Sequence, residues 1–461
     1  MTLENCTSDR IESIVAAQKK YFASGATRSR EFRLAQLKKL QYALEKWEQP
    51  LYEALWKDLH KSMEEAFMTE TSIVFGEIKT AVSHLKRWMK DTRVSTPMKM
   101  FPSRSRILKE PLGNTLIMSP WNYPVQLLLN PLVGAIAAGC TSVLKPSPYV
   151  PEVSLTLEKM IRESFEERYI AVIQGNREVN TALLSQRFDL IFFTGSPKLG
   201  RTVMAAAAKH LTPCILELGG KSPCIIDRDA DIDIAAKRVA WGKTLNSGQT
   251  CIAPDYLMIH RNIQEQFIEA FAHAVHELHG ENVQQSPHYV RMVNDKAFER
   301  VSSYLKDGKI VFGGRTDASE RFIEPTLLTE VSPEAPIMQN EIFGPVFPII
   351  PFEKTEEVID FINDREKPLA LYYFGSESTG RDILHHTSSG GACLNDTIMH
   401  IANERMPFGG VGNSGMGRYH GKRTFDAFTH ERSVIFTPTW IDLPFRYMPY
   451  RMFSLVKRLL K

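Results

Sequence analysis

The sequence predicts an α/β protein made of two alternating strand-and-helix blocks behind a helical layer, and three observations carry that expectation. Short β-rich runs, NTLIM (114–118), TSVLK (141–145), YIAVI (169–173), DLIFF (189–193) and PCILEL (213–218), recur with helical stretches between them. Their spacing of about 20 to 28 residues is the rhythm of βαβ units laid into a parallel sheet. A second block begins near Ser222 with PCIID and continues through FIEPTLL (322–328), PVFPIIPF (345–352) and ALYYFG (370–375). From Arg10 to about Lys90 the chain is polar and helical instead, with Leu34, Leu37, Ala43, Leu44 and Trp47 at helical spacing and Pro50 expected to punctuate the run. Open parallel sheets bind ligands at the carboxyl ends of their strands, so the strand ends are where chemistry is sought.

Two connecting regions need their own reading. Between Asp91 and Pro111 the Ser-, Pro- and Lys-rich stretch STPMKMFPSRSRILKEP forbids a long helix and suits an exposed ribbon or edge strand able to pair with something else. No charge occurs between Pro111 and Leu144, a run long enough to cross a bilayer. Pro120, Pro124 and Pro131 interrupt it, and Asn114, Asn122, Gln126 and Asn130 would be costly in lipid. It reads as buried strand, loop and helix.

Composition narrows the function classes. At 461 residues, with 43% hydrophobic and 24% charged residues, the chain is long enough for two or three cored domains and is not a disordered one. Its 56 Lys and Arg against 53 Asp and Glu are interspersed, so the basic footprint of nucleic-acid binding is missing. Cys6, Cys140, Cys214, Cys224, Cys251 and Cys393 are scattered without a C-x-x-C pair, which suits a reducing compartment. Residues 1–10 carry Glu4 and Asp9 and no apolar core, so a cytoplasmic location is expected.

Four segments carry candidate chemistry, each with a bland reading beside it. Phe192 to Gly200 runs from an apolar strand through Gly195 and Ser196 into a helix; such a turn lets a pyrophosphate approach free N–H groups, or simply connects two elements. Cys251, in NSGQTC, lies in a polar glycine-containing stretch where a nucleophile that is partly thiolate could be presented, or where a small residue is merely packed. Glu217 lies in an apolar strand ending at Gly219 and Gly220, where desolvation would raise its pKa and make it a base, or where it pairs with a cation. Asn122, between Trp121 and Tyr123 and beside two prolines, is either a rigid oxyanion donor or a turn-former.

Together these segments closely resemble the signatures of the aldehyde dehydrogenase superfamily, in order and across almost the whole chain. The matching blocks are Pro120 to Pro124, Lys145-Pro146-Ser147, Phe193 to Ser196, Glu217 to Lys221, Gly248 to Cys251, Glu341 to Pro345, and Pro407 to Gly410 with Ser414 to Arg418. The run Cys251 to Tyr256, the short amino-terminal region and the tail beyond Phe436 are most similar to the class 3 branch of fatty and aromatic aldehyde dehydrogenases.

The resemblance implies a dinucleotide-binding parallel-sheet domain (1–90 and 111–216), an α/β catalytic domain (217–420) and a small β bridging or oligomerisation element (91–110 and 421–461). It implies NAD(P)-dependent oxidation of an aldehyde to a carboxylate through a cysteine thioester. Cys251 matches the nucleophile, Asn122 the oxyanion amide and Glu217 the hydrolytic base. Lys145, Gly195, Ser196, Glu341 and Phe343 match cofactor positions, Glu341 toward the nicotinamide ribose and Phe343 beside the ring. Many relatives have a glutamate three residues after the lysine; here Pro148 stands there, removing a ribose acceptor and a charge that would repel a 2′-phosphate, so NAD and NADP are both admitted. A coenzyme-A-acylating dehydrogenase and a non-catalytic protein on the same fold are the rival readings; the first typically lacks the base that Glu217 supplies. A homodimer is expected.

Other features are discounted. His273, His276 and His279 recur along one helix but read as a solvated face, and no metal is expected. Cys393 reads as packed. The tail from Leu443 to Lys461 is basic, with Phe453, Leu455, Val456, Leu459 and Leu460 spaced for a short helix that docks on protein or makes weak membrane contact. Tyr123, Trp241 and the segment around Ile398 are candidate walls of the aldehyde tunnel.

Overall fold

The computed structural model describes residues 4–444, 447–450 and 452–460. These form two compact units, Met1–Trp88 with Pro111–Thr429, and Met89–Glu110 with His430–Lys461.

The larger unit opens with α1 (Ser8–Ala23), α2 (Arg30–Leu59) and α3 (Met63–Ala66), a π-helical turn (Phe67–Thr71) and α4 (Ser72–Trp88). Thr7, Ser29 and Ser62 begin the first three helices by accepting the N–H three residues on, which satisfies donors the helix itself leaves open. Pro50 does not punctuate the run as expected: it lies inside α2 on an exposed face, where water can take the carbonyl its missing N–H leaves free. The ribbon then forms β1 (Thr92–Val94) and β2 (Arg104–Pro111), antiparallel.

The charge-free run folds as buried strand, loop and helix: β3 (Asn114–Met118), α5 (Gln126–Ala138) and β4 (Thr141–Lys145), with residues 122–147 all buried. After them come α6 (Pro151–Ser164), β5 (Ile170–Val172), α7 (Arg177–Ser185), β6 (Leu190–Thr194), α8 (Pro197–Ala208) and β7 (Cys214–Glu217). β3 pairs with β4 on one side and β6 on the other, all parallel, so the order in which strands are added reverses between β3 and β6. That reversal opens a crevice at the carboxyl ends, next to Ser119 and Gly195. Ile11, Ile14 and Val15 of α1 pack with Leu116, Ile191 and Phe193 of this sheet, and each such buried side chain contributes roughly 1.5–3 kcal/mol.

The second sheet is built from β8 (Pro223–Ile226), α9 (Ile232–Thr244), β9 (Tyr256–His260), α10 (Gln264–His279), α11 (Asp295–Ser303), β10 (Lys309–Phe312), the hairpin β11 (Thr316–Asp317) and β12 (Phe322–Ile323), β13 (Thr326–Thr329), α12 (Pro336–Gln339), β14 (Val346–Phe352), α13 (Thr355–Asn363), β15 (Ala370–Phe374), α14 (Glu377–His386) and β16 (Gly391–Leu394). Its order is β10-β13-β14-β9-β8-β15-β16, parallel except for β10. The run FIEPTLL is two strands and not one, because Pro325 between β12 and β13 has no N–H to give a ladder. β17 (Gly415–Met416) returns to pair antiparallel with β7, setting Gly415 opposite Glu217, and α15 (Lys422–Ala427) follows.

In the smaller unit, β18 (Thr429–Phe436) joins the other edge of β2, and α16 (Phe453–Leu460) lies in the expected helical tail. The side chains of Leu455, Val456, Leu459 and Leu460 lie outside the described residues. No described helix is long and apolar enough to cross a membrane.

α5 and α15 meet at Gly134, where an added Cβ would come within 2.2 Å of the Thr424 Cγ2. Thr424 cannot swing aside freely, because its hydroxyl donates to the buried Glu77 carboxylate at 2.8 Å. Gly134→Ala is therefore expected to destabilise the protein by about 1–3 kcal/mol, read as a lower urea midpoint; an unchanged midpoint would refute this tight contact.

Candidate active site

Cys251 lies on the loop joining α9 to β9, and the backbone leading to it is unusual. Asn246 (φ 51°), Ser247 (φ 53°) and Gly248 (φ 72°) are three successive left-handed residues. Gly248 must be glycine on packing grounds too, since a Cβ there would sit 2.4 Å from the Gly344 carbonyl oxygen. The turn is clamped by Gln249, whose amide nitrogen donates to the carbonyls of Asn246 and Arg291 (3.1 Å each), while its amide oxygen accepts from the Val293 N–H (3.0 Å).

Asn122 follows β3 and reaches this loop directly. Its Nδ2 donates to the Gln249 carbonyl at 3.0 Å, and Asn246 Nδ2 donates to that carbonyl and to the Asn122 carbonyl, also at 3.0 Å. One hydrogen of the Asn122 amide is thus fixed by the loop that carries Cys251, and the second remains to donate. The neighbouring Tyr123 hydroxyl pairs with Thr250 Oγ1 at 2.6 Å.

Glu217 ends β7. It is buried, and neither carboxylate oxygen has a protein hydrogen-bond partner. Burial alone pushes it well above the usual carboxylate range, so it is not the structural partner of a cation. The half-buried Cys251 feels Glu217 and Glu341 as its nearest acidic neighbours, and burial followed by these two carboxylates raises the thiol far above its ordinary value. The charged groups acting on this sulfur are carboxylates, which disfavour the partly ionised thiol that the sequence reading asks of a nucleophile.

The residues expected at a cofactor line the same crevice. Ser196 caps α8 by accepting the Leu199 N–H, leaving the helix amino end with free donors beside Gly195. Lys145, at the end of β4, is buried, lowered to about 8 by desolvation, and its Nζ donates only to the Pro146 carbonyl. Glu341 lies on the loop between α12 and β14, with Oε1 buried and unpartnered and Oε2 so close to Gly219 that a Cβ there would be 2.0 Å away. Its pKa is raised by burial and by Asp255. Phe343 (φ 50°) meets Trp121 edge-on at 5.4 Å. A helix amino end for phosphate, a cation and an orphaned carboxylate oxygen for ribose hydroxyls, and an aromatic face together suit a nicotinamide dinucleotide.

Several residues of this site were not singled out in the sequence, although Lys221 and Asp255 lie inside matched blocks. Lys221 donates to Asp255 and to the carbonyls of Ile337 (2.8 Å) and Asn340 (3.0 Å), and Asp255 accepts the Ile342 N–H at 2.8 Å, so the pair holds the segment that carries Glu341. Tyr419, buried with an unpartnered hydroxyl, faces Glu217 and Cys251. Of the proposed tunnel walls, Ile398 is buried and Trp241 half-buried. His279 is not on a solvated face: its ring packs edge-on against Tyr289 at 5.2 Å and burial lowers it to about 4. Among the described residues no three His, Cys, Asp or Glu side chains gather as metal ligands. Cys393 is half-buried, 3.4 Å from His400 Nδ1, and burial pushes its thiol up to about 11, which leaves it unreactive.

Comparison with known proteins places these features in a family. The model of the aldehyde dehydrogenase family matches residues 1–434. The 4,4′-diaponeurosporen-aldehyde dehydrogenase of Staphylococcus aureus (strain NCTC 8325 / PS 47) is 46% identical over 98% of this chain and 99% of its own. The dimeric NADP-preferring aldehyde dehydrogenase of Rattus norvegicus is 44% identical over 92% of this chain and 94% of its own. The structure of Staphylococcus aureus AldH in a substrate-bound state superposes with a TM-score of 0.96 at 45% identity, covering 98% of this chain and 99% of that one. Human and mouse aldehyde dehydrogenase family 3 member B1 are 46% and 45% identical, which sets the chain in the class 3 branch. The chain belongs to the aldehyde dehydrogenase family, enzymes that oxidise aldehydes to carboxylic acids with NAD(P).

Proposed function

We propose that this enzyme oxidises medium- or long-chain aliphatic or aromatic aldehydes, with Cys251 as nucleophile, Asn122 as oxyanion donor and Glu217 as hydrolytic base. The observation that carries the proposal is Glu217: a desolvated carboxylate with both oxygens unpartnered, facing the Cys251 thiol. Cys251 Sγ attacks the aldehyde carbon, and its proton passes to water at the half-buried sulfur. The free hydrogen of the Asn122 amide and the Cys251 backbone N–H stabilise the negative oxygen that develops. When bound, NAD(P) supplies the hydride acceptor and a positively charged ring. Lys145, Gly195, Ser196, Glu341 and Phe343 would hold it, at the ribose hydroxyls, the pyrophosphate and the ring.

Loss of hydride leaves a thioester on Cys251. Glu217 then takes a proton from water, whose oxygen attacks the thioester carbon and releases the carboxylic acid. A base must be ionised to do this. Because burial raises Glu217, the rate of hydrolysis should still climb with pH above the ordinary carboxylate range.

Pro148 supports use of NADP beside NAD, and the name of the rat relative points the same way. That name also supports a homodimer, with the 91–110 ribbon and residues 421–461 as bridging element beside a cofactor domain (1–90 and 111–216) and a catalytic domain (217–420). A cytoplasmic location fits the six free cysteines.

With hexanal or benzaldehyde, Cys251→Ala should form no NAD(P)H, and retained turnover would refute the nucleophile. In Glu217→Gln a pre-steady-state burst of NAD(P)H should persist while the steady-state rate falls at least a hundredfold and loses its rise with pH; an unchanged steady-state profile would remove Glu217 from its role. Pro148→Glu should lower kcat/KM for NADP about tenfold relative to NAD, about 1.4 kcal/mol, and equal effects on both cofactors would show that position 148 does not face the 2′-oxygen.

A further inference from the structure

The catalytic loop is gripped from behind by a group of buried charges that the reaction itself does not use. Glu65 lies in α3 and Glu70 in the π-helical turn that follows it (Phe67–Thr71). Both carboxylates point into the protein with Lys61, and all three are buried. Lys61 Nζ donates to Glu70 Oε1 at 2.8 Å and to the Asn122 carbonyl at 3.0 Å, and lies 4.3 Å above the Tyr123 ring. Glu70 Oε2 accepts the Val125 and Gln126 N–H groups at 2.9 and 3.0 Å, at the start of α5. Glu70 and Lys61 therefore fix the Asn122 segment. Glu65 reaches the other partner: its Oε1 accepts the Asn246 N–H at 2.9 Å.

Asn246 is the first of the three left-handed residues before Cys251, and its own side chain donates to the Gln249 carbonyl on which the Asn122 amide is oriented. A left-handed turn of non-glycine residues persists only where surrounding bonds over-determine it. The Glu65 bond is the contact that ties this turn to the helical layer.

We propose that Glu65 is a positioning residue for the reaction: by holding the Asn246 N–H it keeps the 246–248 turn in place, and with it the mutual register of the Cys251 sulfur and the Asn122 amide. The inference rests on Cys251 and Asn122 having the roles proposed above. Glu65 is raised to about 7, by burial first and then against the opposing pull of Lys61 and the Asn246 N–H, with Glu70 adding to the rise and Tyr123 facing it. Protonated or ionised, it keeps one oxygen free of hydrogen to accept the bond. The positioning role thus needs an acceptor of glutamate length and not a charge.

That requirement sets the test. Glu65→Gln, which keeps the acceptor, should retain at least half of the burst rate of NAD(P)H formation with hexanal. Glu65→Leu, of similar volume but with no acceptor, should lower that rate per folded molecule about tenfold, with the KM for NAD(P) little changed and the thermal midpoint lowered by no more than the loss of one buried bond. Glu65→Asp, one methylene short, should fall with Leu and serves where Leu does not fold. A folded Leu or Asp variant with a burst rate within twofold of the unmodified enzyme would overturn the inference, as would a Gln variant losing more than half. A purely structural role would lower the thermal midpoint and leave the rate per folded molecule alone. If the underlying roles are wrong, Cys251→Ala keeps its turnover; if only the inference is wrong, Cys251→Ala is inactive while Glu65→Leu is not.

Discussion

The active loop depends on one residue, Gln249, every polar group of which is hydrogen-bonded. The Gln249 amide bonds three backbone groups, its N–H donates to the Asn246 carbonyl, and its carbonyl accepts from two asparagine amides. A buried amide satisfied on every side is hard to move, because any displacement leaves a polar group without a partner at about 1–3 kcal/mol each. This rigidity offsets the strain of the left-handed turn before Cys251. It also makes the Asn122 amide and the Cys251 loop parts of one bonded unit, although they follow strands of different sheets.

The electrostatics are one-sided. Two desolvated carboxylates, Glu217 and Glu341, act on the thiol, and two lysines close by are already committed, Lys61 to Glu70 and Lys221 to Asp255. Each acid favours its neutral form, so the protein by itself stores a thiol and two acids with raised affinities for protons. A positive group entering such a site would favour the charged form of all three. The lysine pairs act on the backbone: one fixes the segment before α5, the other the segment that carries Glu341.

Both parallel sheets were legible because their strands are short apolar runs at βαβ spacing, and NTLIM and TSVLK coincide with β3 and β4 to the residue. Pro50 misled because a proline interrupts a helix only where the freed carbonyl has no water to meet. FIEPTLL misled because one proline inside an apolar run divides it. Glu217, Cys251 and Asn122 announced themselves as polar or reactive residues in rigid or apolar surroundings. Glu65 and Lys61 sit in an ordinary charged stretch, and Lys221 closes the 217–221 block as a plain surface-type lysine; what each one holds emerges only when α3, the π turn and the 337–342 segment fold against residues far along the chain. His279 looked solvated for the converse reason: the helical period cannot show that Tyr289, ten residues on, folds back over it.

The run without charge between Pro111 and Leu144 bears on how the chain is made. β3 needs β6 as its second neighbour, yet about 75 further residues must be translated before Thr194 emerges. At ordinary elongation rates that is roughly four to fifteen seconds. Throughout that interval a sticky segment has one strand edge bare and no net charge to keep copies apart. Newly made chains therefore call for chaperone cover during synthesis, and refolding from denaturant yields most at low protein concentration.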